Sequence, residues 1–214
     1  MELVEDRLEK TRINVINFDV SRLLCVFPDK VKLRHKQGVI DYATNRKFIF
    51  VKKEDYLNNC FTEYKDLYAG NIEMPIQFLY GIIPFNSFRK ITKGVNLMPP
   101  RIWIGAKNTF THCHKDKSAN WTIQLKGKKR WIFFPPEDKE NIYINIKYKG
   151  SEIEEVSEID FFKKIDLDRF PLYKKANKTE IICSEGDLLY IPEGWYHAVE
   201  NIEDSVMINI WQLK

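Results

Sequence analysis

The alternation of apolar and polar positions changes character at Pro99-Pro100. Before that point no long period is sustained. An apolar run at 47–51 reads as a short strand, a helix is expected to begin near Glu54, and a second helical stretch follows Pro75 through Ile76, Phe78 and Leu79. Beyond it, β-branched and aromatic residues recur in short runs split by turn formers, which predicts strands over 101–105, 120–126, 129–134, 180–183, 187–191, 196–201 and 206–212. Gly127-Lys128 joins two of these runs at hairpin distance, and Gly186-Asp187 opens another. Many short strands with tight turns imply an antiparallel sandwich or barrel instead of alternating β and α units. Residues 135–178 interrupt the rhythm with Pro135-Pro136, a helix expected around 159–165 and a Lys/Glu-rich polar surface, so they are expected to form a lid or covering insertion. The expected organisation is one mainly β domain over 1–214, with 1–99 as a mixed α/β support carrying N-terminal helices and 100–214 as the barrel.

Strand side chains alternate between two faces, which groups residues that are not adjacent. Lys129 shares a face with Trp131 and Phe133. Exposing both rings to water is costly, so that face, lysine included, is expected to turn inward. Asn120, Thr122 and Gln124 form a polar stripe opposite Trp121, Ile123 and Leu125, lining either a wet cavity or the solvent. If the segment is extended, His112, His114 and Asp116 share a face while Cys113 and Lys115 point away. Near the end, Gly186-x5-Pro192-x-Gly194-x2-His197-x3-Asn201 supplies a turn, a strand stopped at a proline, a glycine where the chain bends and a histidine starting the next strand.

Composition narrows the setting. A chain of 214 residues with 44% hydrophobic content can fill a sizeable core. Its net charge of +4 comes from 34 basic and 30 acidic residues, a mixed surface that permits nucleic acid binding without singling it out. Cys25, Cys60, Cys113 and Cys183 are far apart with no Cys-x-x-Cys spacing, and residues 1–7 are charged and unlike a secretory leader, so a reducing, cytoplasmic location is expected. No apolar stretch approaches membrane-spanning length, and no membrane partner is expected. Oligomeric state is left open.

His114-x-Asp116 plus a distant His197 supplies two imidazoles and one carboxylate, a set that occupies one face of an octahedral metal and leaves the opposite face for substrates. A rival set, His112, His114 and His197, would give a three-histidine dioxygenase or isomerase site; Lys117-Ser118-Ala119 stands where such sites carry a glutamate. A non-catalytic binding module is the other rival. His35, between Arg34 and Lys36, reads as an ordinary surface residue.

Together these segments resemble the cupin-like JmjC group of iron(II)- and 2-oxoglutarate-dependent oxygenases, and within it the small hydroxylase branch that includes the asparaginyl hydroxylase of the hypoxia-inducible factor. The likeness runs from about Tyr68 to Trp211. It implies a double-stranded β-helix, the jelly-roll or cupin barrel, with His114, Asp116 and His197 holding iron(II). It also implies 2-oxoglutarate as cosubstrate and dioxygen as oxidant, yielding succinate, carbon dioxide and a hydroxylated C–H bond. By the same resemblance Gln124-Leu125-Lys126-Gly127-Lys128-Lys129-Arg130 makes Lys129 the cosubstrate lysine, with Thr111 and Tyr68 sharing that carboxylate, and Asn120 and Asn209 at the family's asparagines. A dicarboxylate held in a barrel does need a cation at its far end, which a lysine flanked by hydroxyls provides. The expected substrate is a protein or peptide side chain, with a small molecule or an RNA nucleoside as alternatives and N-methyl demethylation as an alternative outcome of the same chemistry.

Overall fold

The runs after Pro100 become strands, and every strand pairing in the computed structural model, which describes residues 7–16, 18–39, 45–92, 94–147 and 155–214, is antiparallel. The first half contributes β1 (Glu9–Arg12), β2 (Lys30–His35), β3 (Phe48–Lys52) and β4 (Leu67–Glu73), with helices α1 (Lys53–Asn59), α2 (Ile76–Tyr80) and α3 (Phe85–Ile91) between and after them. The barrel proper begins with β5 (Arg101–Gly105), β6 (Phe110–Lys115), β7 (Asn120–Lys126) and β8 (Lys128–Phe134). After β9 (Ile144–Lys147) and β10 (Glu155–Ser157) it resumes with β11 (Thr179–Ser184), β12 (Asp187–Ile191), β13 (Tyr196–Asn201) and β14 (Ser205–Trp211).

One sheet has the order β1-β12-β7-β14-β5-β4-β2-β3 and the other β11-β8-β13-β6-β10-β9. From β5 to β8, and again from β11 to β14, each strand lies in the sheet opposite its predecessor, the connectivity of a jelly roll. The switch from β7 to β8 takes a single residue. Gly127 manages it at φ 67°, with Asp204 O only 2.0 Å from where a Cβ would stand.

Period-two alternation then sorts the side chains into three apolar layers. Trp121, Ile123 and Leu125 of β7 face outward with Leu188, Ile208 and Ile210, and are covered by Leu23, Tyr56, Leu79 and Phe88 from the first half of the chain. Trp131 and Phe133 of β8 face inward, stacked with ring planes 1° apart, against Leu189, Val199 and Met207. Ile132, Phe134 and Cys113 cover the outer face of the smaller sheet and meet Ile142, Ile159, Phe161 and Phe170. Each large apolar side chain buried this way contributes about 1.5–3 kcal/mol.

The segment 135–178 thus covers the back of the smaller sheet; residues 148–154 of it lie outside the described part. The helix expected around 159–165 does not form. Ser157 Oγ accepts from the Ile159 amide at 3.0 Å and Asp160 Oδ1 from the Phe162 amide at 3.1 Å, local bonds that turn the backbone and let Phe161 bury itself individually. Strands β1, β2, β4, β6, β9 and β10 lie outside the predicted set, and β6 figures in the sequence only as a segment that could be extended.

Candidate metal centre and cavity

His114 and His197 are register partners across β6 and β13, with ring centroids 4.5 Å apart. Asp116 lies just past the end of β6. Its Oδ1 is 3.8 Å from His114 Nε2 and its Oδ2 is 3.8 Å from His197 Nε2. One ligand atom from each of the three lies within 4.8 Å of the others. Both Nδ1 atoms face carbonyls, His112 O at 2.8 Å and Trp195 O at 3.2 Å. Carbonyls only accept, so each ring donates from Nδ1 and turns an Nε2 lone pair to the shared space. Burial, and next the neighbouring His197, push the His114 imidazole down to about 3, which keeps it neutral. The residues present fit a divalent transition metal with nitrogen and oxygen preference.

Asp116 is held from behind. Its Oδ2 accepts from Asn120 Nδ2 and from Trp211 Nε1, both at 2.9 Å.

A β-bulge decides which residues of β6 reach this space. His114 pairs with His197 and Thr111 with Val199, so three steps on β6 answer two on β13, and His112 with Cys113 together oppose Ala198. Thr111 and His114 both face the cavity, whereas Cys113 joins the outer layer. The expectation that His112 shares the face of His114 is therefore corrected: its Nε2 lies 3.0 Å from Gln37 O, packed by Phe110 and Phe162.

The three candidate ligands open into a cavity of about 720 Å³ between the sheets, which Trp103, Trp131, Val199 and Met207 line along with Tyr68, Thr111 and Asn209. Asn209 Oδ1 is buried without a hydrogen-bond partner among the described residues. Behind Tyr68, Lys129 is fully buried. Its Nζ donates to Tyr68 OH at 3.0 Å and to Asn201 Oδ1 at 2.5 Å, both neutral groups, and no carboxylate pairs with it among the described residues. Burial of an unpaired ammonium costs several kcal/mol, and here it pushes the Lys129 amine down to about 7. Asn201 in turn donates to Gly105 O at 3.0 Å and Thr109 Oγ1 at 2.8 Å, tying the lysine to the β5–β6 turn.

The sequence-predicted residues therefore divide. His114, Asp116 and His197 meet; Tyr68, Thr111 and Asn209 line the wall, and Lys129 sits behind it on the Tyr68 hydroxyl. Asn120 does not line the cavity, since its amide is spent on Asp116. The stripe of Asn120, Thr122 and Gln124 is buried between the sheets, away from solvent. Two contributors were missed. Trp211 stood in view beside Asn209 but carried no signal that its indole donates to Asp116. Arg34, hidden in a charged run, is buried and donates from Nη2 to Phe110 O at 2.9 Å and Thr111 Oγ1 at 3.1 Å, above the Tyr68 ring. The alternation of Val31 and Leu33 with charged neighbours was the available sign that Arg34 sits on a strand.

Among known proteins, the profile described as the cupin-like domain matches residues 43–212. HSPB1-associated protein 1 of Mus musculus is 36% identical over 201 residues, 85% of this chain and 41% of its own length. Arginine-specific demethylase JMJ20 of Arabidopsis thaliana is 33% identical over 110 residues, 50% of this chain and 22% of its own. The 2-oxoglutarate and iron-dependent oxygenase JMJD4 of Mus musculus is 29% identical over 113 residues, 50% of this chain and 25% of its own. The chain thus spans less than half the length of these curated relatives.

Proposed function

Because the chain belongs to the cupin-like domain family, with JmjC oxygenases among its relatives, we propose that it is an iron(II)- and 2-oxoglutarate-dependent oxygenase that hydroxylates a C–H bond of a protein or peptide side chain. The observation that carries this reading is Lys129: a fully buried amine with neutral partners, one of them the hydroxyl of Tyr68 in the wall of the cavity that holds the His114, Asp116 and His197 triad. Such a charge calls for an anion, and a keto-diacid offers a metal-chelating end and a second carboxylate for an ammonium in one molecule. When bound by the triad, ferrous iron would supply the activation of dioxygen, coupled to oxidative decarboxylation of 2-oxoglutarate to succinate.

The chain's own residues position and protect. Lys129 neutralises the distal carboxylate while the Tyr68 hydroxyl, and Thr111 beside it, supply hydrogen bonds to that end. Asn120 and Trp211 hold Asp116 so that its Oδ1 stays turned toward His114. Trp131, Val199 and Met207 keep bulk water from the reacting atoms.

Succinate formation with iron(II), ascorbate and 2-oxoglutarate, together with anaerobic titration for the metal-to-ligand charge-transfer band, tests the reading. Absence of 2-oxoglutarate binding, or its survival in Lys129→Ala, overturns the cosubstrate assignment. Demethylation, suggested by the Arabidopsis relative's name, would release formaldehyde, whereas hydroxylation leaves a stable gain of one oxygen atom by mass spectrometry. Against the three-histidine alternative, His112→Ala should retain iron and Asp116→Ala should lose it.

A further inference from the structure

Among the described residues the eight-stranded sheet ends at β3, which pairs there with β2 alone. An edge strand exposes a row of backbone donors and acceptors and is ordinarily guarded or used. This one carries exposed aromatics, Phe48 at 39% and Phe50 at 64% of full exposure. Register pairs Arg34 with Phe48, Lys32 with Phe50 and Lys30 with Lys52, and residues directly opposite share a face. The same face runs into the cavity, whose wall includes Lys30, Lys32, Arg34 and Phe48 and leads on to His114 and Asp116. Lys32 Nζ lies 3.9 Å from the centroid of the Phe48 ring, and neither Lys30 nor Lys32 is paired with a carboxylate among the described residues.

Charge is concentrated here. Residues 30–36 and 45–53 hold eight Lys and Arg and no Asp or Glu, twice the +4 net charge of the whole chain. Four of these cations, Lys30, Lys32, Arg34 and Arg46, line the cavity, against the carboxylates of Glu73 and Asp116, so its mouth carries an excess of positive charge.

We propose that the β2–β3 face is the substrate-docking surface and that its occupant is an acidic peptide segment, which lies extended along β3 and presents one side chain into the cavity. The inference rests on the oxygenase reading and names the substrate class for it. Strand addition uses the open backbone of β3 for affinity, the two phenylalanines for apolar contact and the lysines for acidic side chains. A single-stranded nucleic acid would also meet cations and aromatics, but it has no use for an open strand edge.

The test is selection of a displayed library of short random peptides on the metal-free protein, followed by anisotropy measurements on the selected peptides with oligouridine as competitor. Selected peptides should be enriched in Asp and Glu. Their affinity should fall about tenfold or more in Lys30→Glu/Lys32→Glu and in Phe50→Ser, and amide exchange across β3 should slow on binding. A pool without acidic enrichment, unchanged affinity in both variants, or oligouridine binding more tightly than the peptides overturns the proposal. The assay needs neither metal nor cosubstrate, so its failure and a failure of 2-oxoglutarate binding are read separately.

Discussion

Lys129 couples the occupancy of the cavity to pH. Burial lowers its amine to about 7 from an ordinary value of 10.5, so the empty site favours the neutral form above neutrality. A carboxylate beside it restores the charged form, and binding then draws a proton from solvent. Affinity for 2-oxoglutarate should be level below about pH 7 and fall about tenfold per pH unit above it, with nearly one proton taken up at pH 8 by calorimetry in buffers of different ionisation enthalpy; a flat profile would remove the lysine from the binding step. The sign for stability is the reverse. Between about 7 and 10.5 the unfolded chain still holds a proton that the folded chain has lost, so the empty protein gains stability as pH rises through that window, a slope that Lys129→Met should abolish in denaturant titrations. At the triad, Trp211→Phe removes one of two donors to Asp116 Oδ2. Metal affinity should drop about 10- to 100-fold, the usual effect of losing a hydrogen bond behind a ligand, while the fold survives because a ring still fills the site.

At the scale of elements, the strands after Pro100 were legible because alternation, β-branching and turn glycines agree there. Gly127 illustrates this agreement: its left-handed φ and the nearby Asp204 carbonyl leave no place for a side chain. Gly127→Ala should destabilise the fold by about 2–4 kcal/mol, lowering the thermal midpoint by about 2–4 °C per kcal/mol, and a wild-type melt would show that the β7–β8 crossing is more pliant than its geometry. Elements whose stability is tertiary were the ones missed. β2 sets two apolar residues among charges and β4 is interrupted by Gly70 and Asn71, and both extend the edge that β5 offers. The apolar spacing of Ile159, Phe162 and Ile165 suits a helix, yet serine and aspartate side chains capture the backbone first. Likewise the positions of His114, Asp116 and His197 could be read from spacing, but Arg34 could not, since nothing in a run of alternating charges says which cation will be buried.

For the whole molecule, the site lies between two sheets whose outer faces are each covered by other parts of the chain, so ligand binding should be felt as global stability. Iron(II) and 2-oxoglutarate supplied anaerobically, each at about 100 times its dissociation constant, add about 2.7 kcal/mol apiece and about 5.4 kcal/mol together, a rise of about 11–22 °C at 2–4 °C per kcal/mol in scanning fluorimetry. Asp116→Ala should abolish the rise, and a shift that persisted in it would locate the ligands elsewhere. One last consequence belongs to the irregularity opposite Ala198. Deleting Cys113 would straighten the strand while leaving Thr111 and His114 both inward, whereas one residue more in β13 beside Ala198 would absorb the irregularity and bring His112 to the inward face in place of Thr111. The set of donors this scaffold turns toward a metal is thus fixed by a count of residues in one strand pair as much as by their identity, and a one-codon insertion in β13 would be a route from one ligand set toward another.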